Sequence, residues 1–251
     1  MYKISKVIQS TAEQIEIIPT GDWHYGSPNC NIRKIQDLLK YIQSASHCYV
    51  ILMGDLWDSI IPQDKRFDPA VDYEQIDDQY EKVRDLLLPI KDKILCAVTG
   101  NHEYKLHSSG HGDLTKRLCK ELGISYGGFS CFLKLKVVPK THEKSLILYI
   151  HHGWTASRRS GGVINSIEAI SRHYDADIYL VGHSHQLSST KQARIDWAGS
   201  KDILFCNTGT FLETATWGNT SYSERAGFPP LRLGCMKLKY YPKKGKYYAT
   251  E

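Results

Sequence analysis

Apolar positions along the chain follow two periods. Short apolar runs ending in polar residues recur as QIEIIPTGD, CYVILMGD, KILCAVTGNH, LILYIHHG, DIYLVGHSH and ILFCNTGT. Runs of this length without alternation predict strands buried on both faces. Between several of them, apolar residues return at helical spacing. Ile32, Ile35, Leu38, Leu39 and Ile42 share one face, as do Ile76, Tyr80, Val83 and Leu87, and a third face carries Val163, Ile167 and Ile170. Strand alternating with helix predicts an α/β fold.

FSCFLKLKVV (129–138) differs, because Lys134 and Lys136 alternate with Leu133, Leu135 and Val137. That is the period of a strand with one wet face, so the sheets are expected to be mixed rather than purely parallel. MKLKYY near the C-terminus reads as a terminal strand of the same kind. SIIPQDKRFDPAVDYE (59–74) is a long excursion and ASRRSGG (156–162) a mobile loop; neither marks a boundary, and residues 1–251 read as a single domain.

Composition narrows the class. In 251 residues, 41% hydrophobic and 24% charged side chains exclude a largely disordered chain, and a formal charge of +5 falls short of a dedicated nucleic-acid binder. No apolar run approaches the roughly 18 residues of a membrane span, and MYKISKVIQS has no continuous apolar core of an export signal. A soluble, cytoplasmic protein is expected. Seven cysteines, an odd number without close pairs, suggest neither a disulfide framework nor a cysteine zinc site; they read as small core residues in a reducing compartment.

The chemistry sits at the strand ends. In order these supply Asp22 and His24, Asp55 and Asp58, Asn101 and His102, His151 and His152, and His183 and His185. If the backbone stays extended, Asp22 and His24 point the same way. One such pair is commonplace, but five strand ends at once are not, and in α/β sheets the crevice at the carboxyl ends of strands is where sites are built. Imidazole with carboxylate and amide oxygen, without thiolate, favours manganese, iron, zinc or similar ions over a structural zinc site. At least six ligands exceed one tetrahedral site, and a carboxylate can bridge two cations into a clamp for phosphoryl chemistry.

D-x-H, G-D-x-x-D, G-N-H-E, a strand ending in His and G-H-x-H, in that order over residues 14–212, resemble the calcineurin-like metallophosphoesterase superfamily. The resemblance implies a four-layer α/β/β/α sandwich of two mixed sheets, with a dinuclear metal site at the strand ends. It implies that Asp22, His24 and His185 hold one cation, that Asn101, His151 and His183 hold the other, and that Asp55 bridges them. His151 is chosen because the family's ligand directly follows the strand; His152 is the alternative, or orients the site. Two divalent ions are implied, manganese first, with iron, zinc or nickel as alternatives.

A water shared by two cations ionises near neutral pH and can attack phosphorus in line. His102 is expected as general acid or transition-state stabiliser, its imidazole held by Asp58. Arg158 and Arg159 are candidate grips on a phosphodiester backbone or a solvated pair. Trp23, Trp57 and Trp154 adjoin the motifs and either pack or stack a base. His107 and His111 have no demanding reading. Ser59 follows Asp58 where the superfamily's protein phosphatases carry arginine, which disfavours a protein phosphatase. GDLWD looks more like the exonuclease-related and phage-type phosphoesterases, so the expected activity is hydrolysis of phosphodiester bonds, with DNA or RNA as candidate substrate. A small-molecule phosphodiesterase or nucleotide phosphohydrolase is the alternative, and a non-catalytic scaffold the remote one. The short tail after residue 212 leaves no room for the cap and partner-binding segment of the superfamily's double-strand-break nucleases, and no protein partner or membrane is implied.

Overall fold

Each apolar run becomes a strand with a packed layer on either side. The computed structural model of the protein describes residues 1–64, 67, 75–138, 145–155, 157, 159–197, 199–215, 222–225, 227 and 229–251. In chain order its elements begin with β1 (Tyr2–Gln9), β2 (Ile15–Thr20), α1 (Ile32–Ser44), β3 (Cys48–Leu52) and α2 (Ile76–Leu87). There follow β4 (Ile94–Ala97), α3 (Asn101–Ser108), α4 (Leu114–Leu122), β5 (Ser130–Val138), β6 (Leu146–His151) and α5 (Ser160–Ser171). The chain closes with β7 (Ile178–Val181), β8 (Leu187–Asp196), β9 (Gly199–Thr210), the short α6 (Tyr222–Arg225), β10 (Gly234–Cys235), β11 (Lys237–Tyr241) and β12 (Lys246–Thr250).

Two mixed sheets result. One runs β12-β11-β2-β3-β4, and the other β1-β5-β6-β7-β9-β10, with β8 also paired to β9. The pairs β2–β3, β3–β4, β6–β7 and β7–β9 are parallel, whereas β5–β6 and β8–β9 are antiparallel. Between the sheets pack Ile17, Ile51, Leu133, Leu135, Ile150, Leu180 and Cys206. Ile18, Val50 and Leu52 face the other way, onto Ile35, Leu39 and Ile42 of α1 and Tyr80, Val83 and Leu87 of α2. On the outer face of the second sheet, Tyr149, Tyr179 and Phe205 meet Val163 and Ile167 of α5. Three apolar interfaces therefore separate four layers, helix, sheet, sheet and helix. Lys134 and Lys136 of β5 are exposed, as their alternation predicts.

Some expectations needed amending. Ile32 lies at the rim of its helical face, 38% exposed. Ser160 to Gly162, read as loop, form the first turn of α5, while Ala156 and Arg158 lie outside the described residues, as does most of the 59–74 excursion. All seven cysteines are free, and six of them are buried.

Candidate metal centre

The first two strand-end loops stay zipped together after their strands have ended. Asp22 N–H donates to the Gly54 carbonyl at 2.9 Å, Trp23 N–H to the Asp55 carbonyl at 2.9 Å and Tyr25 N–H to the Leu56 carbonyl at 3.0 Å. The backbone at Asp22 and His24 is not extended, however. Their φ values are 48° and 49°, and Asp55, His183 and His185 are also left-handed at 48°, 66° and 61°. Such conformations cost a non-glycine residue on the order of 1–3 kcal/mol and persist where the surroundings enforce them. The two side chains do converge, but through two left-handed turns rather than through strand alternation.

Three groups of potential ligand atoms lie here: Asp22, His24 and His185; Asp55, His152 and His183; and His24 again with Asp58 and His102. Asp55 lies between the first two, its Oδ2 3.3 Å from His152 Nε2 and 3.9 Å from His24 Nε2. Its Oδ1 is occupied by the His102 backbone N–H at 2.9 Å. Asn101, the first residue of α3, brings its Oδ1 to 3.0 Å from His152 Nε2.

The expectation for the fourth block needs correction: His152, not His151, faces the cluster. His152 is fully buried, and its Nδ1 lies 2.8 Å from the Met53 carbonyl, which can only accept, so Nδ1 carries the proton and Nε2 turns to Asp55 and Asn101. His151 is the last residue of β6 and takes the opposite face. Its Nδ1 accepts the Gly153 N–H at 2.8 Å, and its ring lies 4.8 Å from that of Trp154. Strand alternation alone puts the two imidazoles on opposite sides.

These residues fit a cation. His24 Nδ1 lies 3.2 Å from Asp58 Oδ1, so both His24 and His152 give their Nδ1 proton to an oxygen and aim Nε2 inward, the arrangement that metal-ligating histidines adopt. The inward Nε2 atoms then face acceptors: carboxylate and amide oxygens at His152, and His185 Nε2 at 3.1 Å from His24. Asp22 Oδ1 is buried 3.3 Å from His185 Nε2 without a well-formed hydrogen bond. A proton or a cation must fill these gaps. Accordingly, although burial opposes it, the Asp55 carboxylate pushes His152 up to about 10. Asp55 is held well below the carboxylate range, against its burial, chiefly by His152 and His102. Burial and the neighbouring His152 push His151 down to about 4.

A model of the family described as calcineurin-like phosphoesterase matches residues 15–187. The chain belongs to the calcineurin-like phosphoesterase family. Among solved structures it is similar to a conserved uncharacterized protein of Streptococcus pneumoniae described as a predicted phosphoesterase, at 14% identity and a TM-score of 0.39 over 96% of this chain and 100% of that one. Vps29 of Entamoeba histolytica complexed with zinc gives 14% identity and a TM-score of 0.43 over 94% and 97% of the two chains. A metallophosphoesterase of Sphaerobacter thermophilus gives 10% and 0.43 over 94% and 89%. The family assignment rests on the matched residues 15–187 and not on these distant likenesses. No curated protein matches the chain.

The other motif residues of the chain sort by burial. His102 is buried, its Nδ1 2.5 Å from the Asp58 carbonyl oxygen and 3.5 Å from the Asp58 carboxylate. The backbone of Asp58 thus holds His102, and its carboxylate is nearer to His24. Trp23 and Trp57 are core: Trp23 donates Nε1–H to Thr20 Oγ1 at 2.8 Å, and Trp57 stacks on Tyr80 with centroids 5.6 Å apart. Trp154 alone of the three is exposed, at 42%. Arg159 is exposed at the start of α5, and Arg158 lies outside the described residues.

Three supporting residues carried no assignment from the sequence. Glu103 is fully buried and accepts the N–H groups of Asp55 at 3.1 Å, Leu56 at 2.8 Å and Gly100 at 2.9 Å, stitching the second loop to the third. Asn207 donates to Ser184 Oγ at 2.6 Å, bracing the loop between His183 and His185. Thr210 donates to the Asp22 carbonyl at 2.8 Å. Glu103 stood within the quoted GNHE motif, and a carboxylate immediately after a cluster residue was the available signal.

Proposed function

We propose that this chain hydrolyses phosphodiester bonds with two divalent cations, manganese first among the candidates. The observation that carries the reading is the approach of two ligand groups, Asp22–His24–His185 and Asp55–His152–His183, with Asp55 Oδ2 3.3 Å from His152 Nε2 in its own group and 3.9 Å from His24 Nε2 in the other. Asn101 completes the second group. Bound there, cations would neutralise phosphoryl oxygens and lower the pKa of a water molecule.

The chain's own residues supply the rest. Asp55 spans both groups. The Asp58 carbonyl fixes the His102 ring, so that Nε2 is the nitrogen available to protonate a leaving oxygen. Ser59, in the place of the protein phosphatases' arginine, is buried and brings no guanidinium to a phosphate, which favours a diesterase over a protein phosphatase. Nucleic acid is the substrate we favour. No helix among the described residues is long and apolar enough to cross a membrane, and free cysteines support a reducing, cytoplasmic setting.

The test is hydrolysis of bis(4-nitrophenyl) phosphate and of end-labelled single- and double-stranded DNA by manganese-loaded protein, with chelator and His102→Ala controls. Chelator-sensitive hydrolysis is expected. Bound metal without turnover on any of these esters would overturn the reading, and hydrolysis of the small ester alone would move it to a small-molecule phosphodiesterase.

A further inference from the structure

Large aromatic side chains are ordinarily buried, as Trp23, Trp57 and Tyr80 are here. Others are exposed, among them Tyr104 at 49%, Phe129 at 38%, Tyr41, Trp154, Trp197 and Tyr248. Two of these meet beside the fourth block. The Phe129 carbonyl accepts the His152 N–H at 3.2 Å, and Tyr104, on the side of α3 opposite His102, reaches Phe129. Trp154 stands instead with His151, on the face away from the cluster. The rings of Tyr104 and Phe129 touch edge to face at 4.8 Å, and His107 extends the row, its ring 6.3 Å from Tyr104. Tyr2 lies against Gly128, where an added Cβ would come within 2.9 Å of its ring, and it meets Tyr126 at 5.4 Å. Exposed rings thus stand at Tyr104 and Phe129, next to the strand end that carries His152, with Tyr2 against the neighbouring Gly128.

We infer that this rim is a stacking platform for the bases of a single-stranded nucleic acid whose backbone enters the metal centre. The inference rests on the phosphodiesterase reading above. A phosphodiester with a π-face on successive units is an oligonucleotide, and rings in a row serve several bases where a mononucleotide needs one. A duplex keeps those faces stacked on one another, so a single strand or a frayed end is the form that fits. Lys105, next to Tyr104 in the chain, is engaged by Asp64 at 2.5 Å, so stacking rather than phosphate contact by this lysine holds the strand there. Binding should therefore depend weakly on salt.

The test uses the metal-free full chain and a fluorescein-labelled oligo(dA), read by anisotropy. The expected result is tighter binding of oligo(dA) than of an abasic strand of equal length or of its duplex. Tyr104→Leu and Phe129→Leu should each raise Kd about tenfold, while Tyr104→Phe, which keeps a ring, retains affinity. Equal affinity for the abasic strand, measured on the unaltered protein and so independent of any variant's folding, would overturn the platform. So would leucine variants that fold and bind as the parent does. Hydrolysis of bis(4-nitrophenyl) phosphate by the metal-loaded parent separates the two readings: turnover with base-independent binding removes the platform alone, and base-dependent binding without turnover removes the diesterase reading alone.

Discussion

His24 Nε2 and His185 Nε2 face each other at 3.1 Å, across 161 residues of chain. Two imidazole nitrogens approach so closely only with a proton or a cation between them. His24 is raised above its ordinary value, its burial outweighed by Asp58 and Asp55, and His152 is raised to about 10. Near pH 7 the metal-free centre therefore holds protons that a ligand histidine must give up. Cation binding should release protons and tighten with rising pH, which calorimetric titration with Mn2+ in buffers of different ionisation enthalpy would show. The metal-free fold has the matching linkage. The His152 contribution is complete below its unfolded value near 6.5 and fades as pH rises through about 10, whereas that of Asp55, held below 3.8, is lost on acidification.

Exchanging the two adjacent histidines of the fourth block should have unequal effects. His152→Ala removes an inward Nε2 and leaves Asp55 without its closest imidazole, so manganese affinity should fall at least a hundredfold, measured by equilibrium dialysis. His151→Ala removes a ring packed on Trp154 from the other face and should keep the metal stoichiometry of the parent. Equal losses in both variants would count against the assignment of His152.

Glu103 can be tested by stability alone. Its carboxylate accepts three backbone N–H groups in a fully buried setting, and Glu103→Ala leaves all three without an acceptor. A loss of about 3 kcal/mol or more is expected in urea unfolding, since each stranded buried donor costs about 1–3 kcal/mol. Glu103→Gln, which retains one acceptor oxygen, should recover part of it.

How much of this was legible in the chain depended on periodicity and on side-chain direction. The buried strands and the helices α1, α2 and α5 were legible because apolar runs and helical faces carry their own period. Strand β1 was not: its sequence YKISKVIQ is mostly exposed, lies at a sheet edge and is fixed by pairing with β5 more than 120 residues away. The cluster residues were legible by type and order, but their directions were not. Asp22 and His24 converge through left-handed turns imposed by the second loop, and His152 displaces His151 because Met53 and Asp55 belong to a facing strand end that no local pattern reveals.

His102 separates chemistry from assembly. Its ring nitrogen is held by the Asp58 carbonyl, and its backbone N–H, which any residue retains, serves Asp55 Oδ1. His102→Ala should therefore leave the cations in place while kcat on a phosphodiester falls by about 10²- to 10⁴-fold, the usual span for a lost proton donor. Metal analysis beside steady-state kinetics decides it; parent-like turnover would remove His102 from the mechanism.

Gly100 shows how tightly the second and third loops are pressed together. Its φ of −87° suits any residue, so only space forbids a side chain. An added Cβ would stand 2.1 Å from Asp55 Oδ1 and 2.2 Å from Asp55 N. Neither atom can yield, because Glu103 holds the Asp55 N–H and the His102 N–H holds Oδ1. Gly100→Ala should then push Asp55 from its place between the ligand groups, costing about 3 kcal/mol of stability and with it the affinity for manganese. Gly161→Ala is the matched control: nothing lies within 4 Å of its added Cβ in the first turn of α5, and alanine there should stabilise the helix by up to about 1 kcal/mol. Thermal unfolding of the two variants with and without Mn2+ checks both. If Gly100→Ala melted with the parent and still gained stability from the metal, Asp55 would not depend on the packing of these loops.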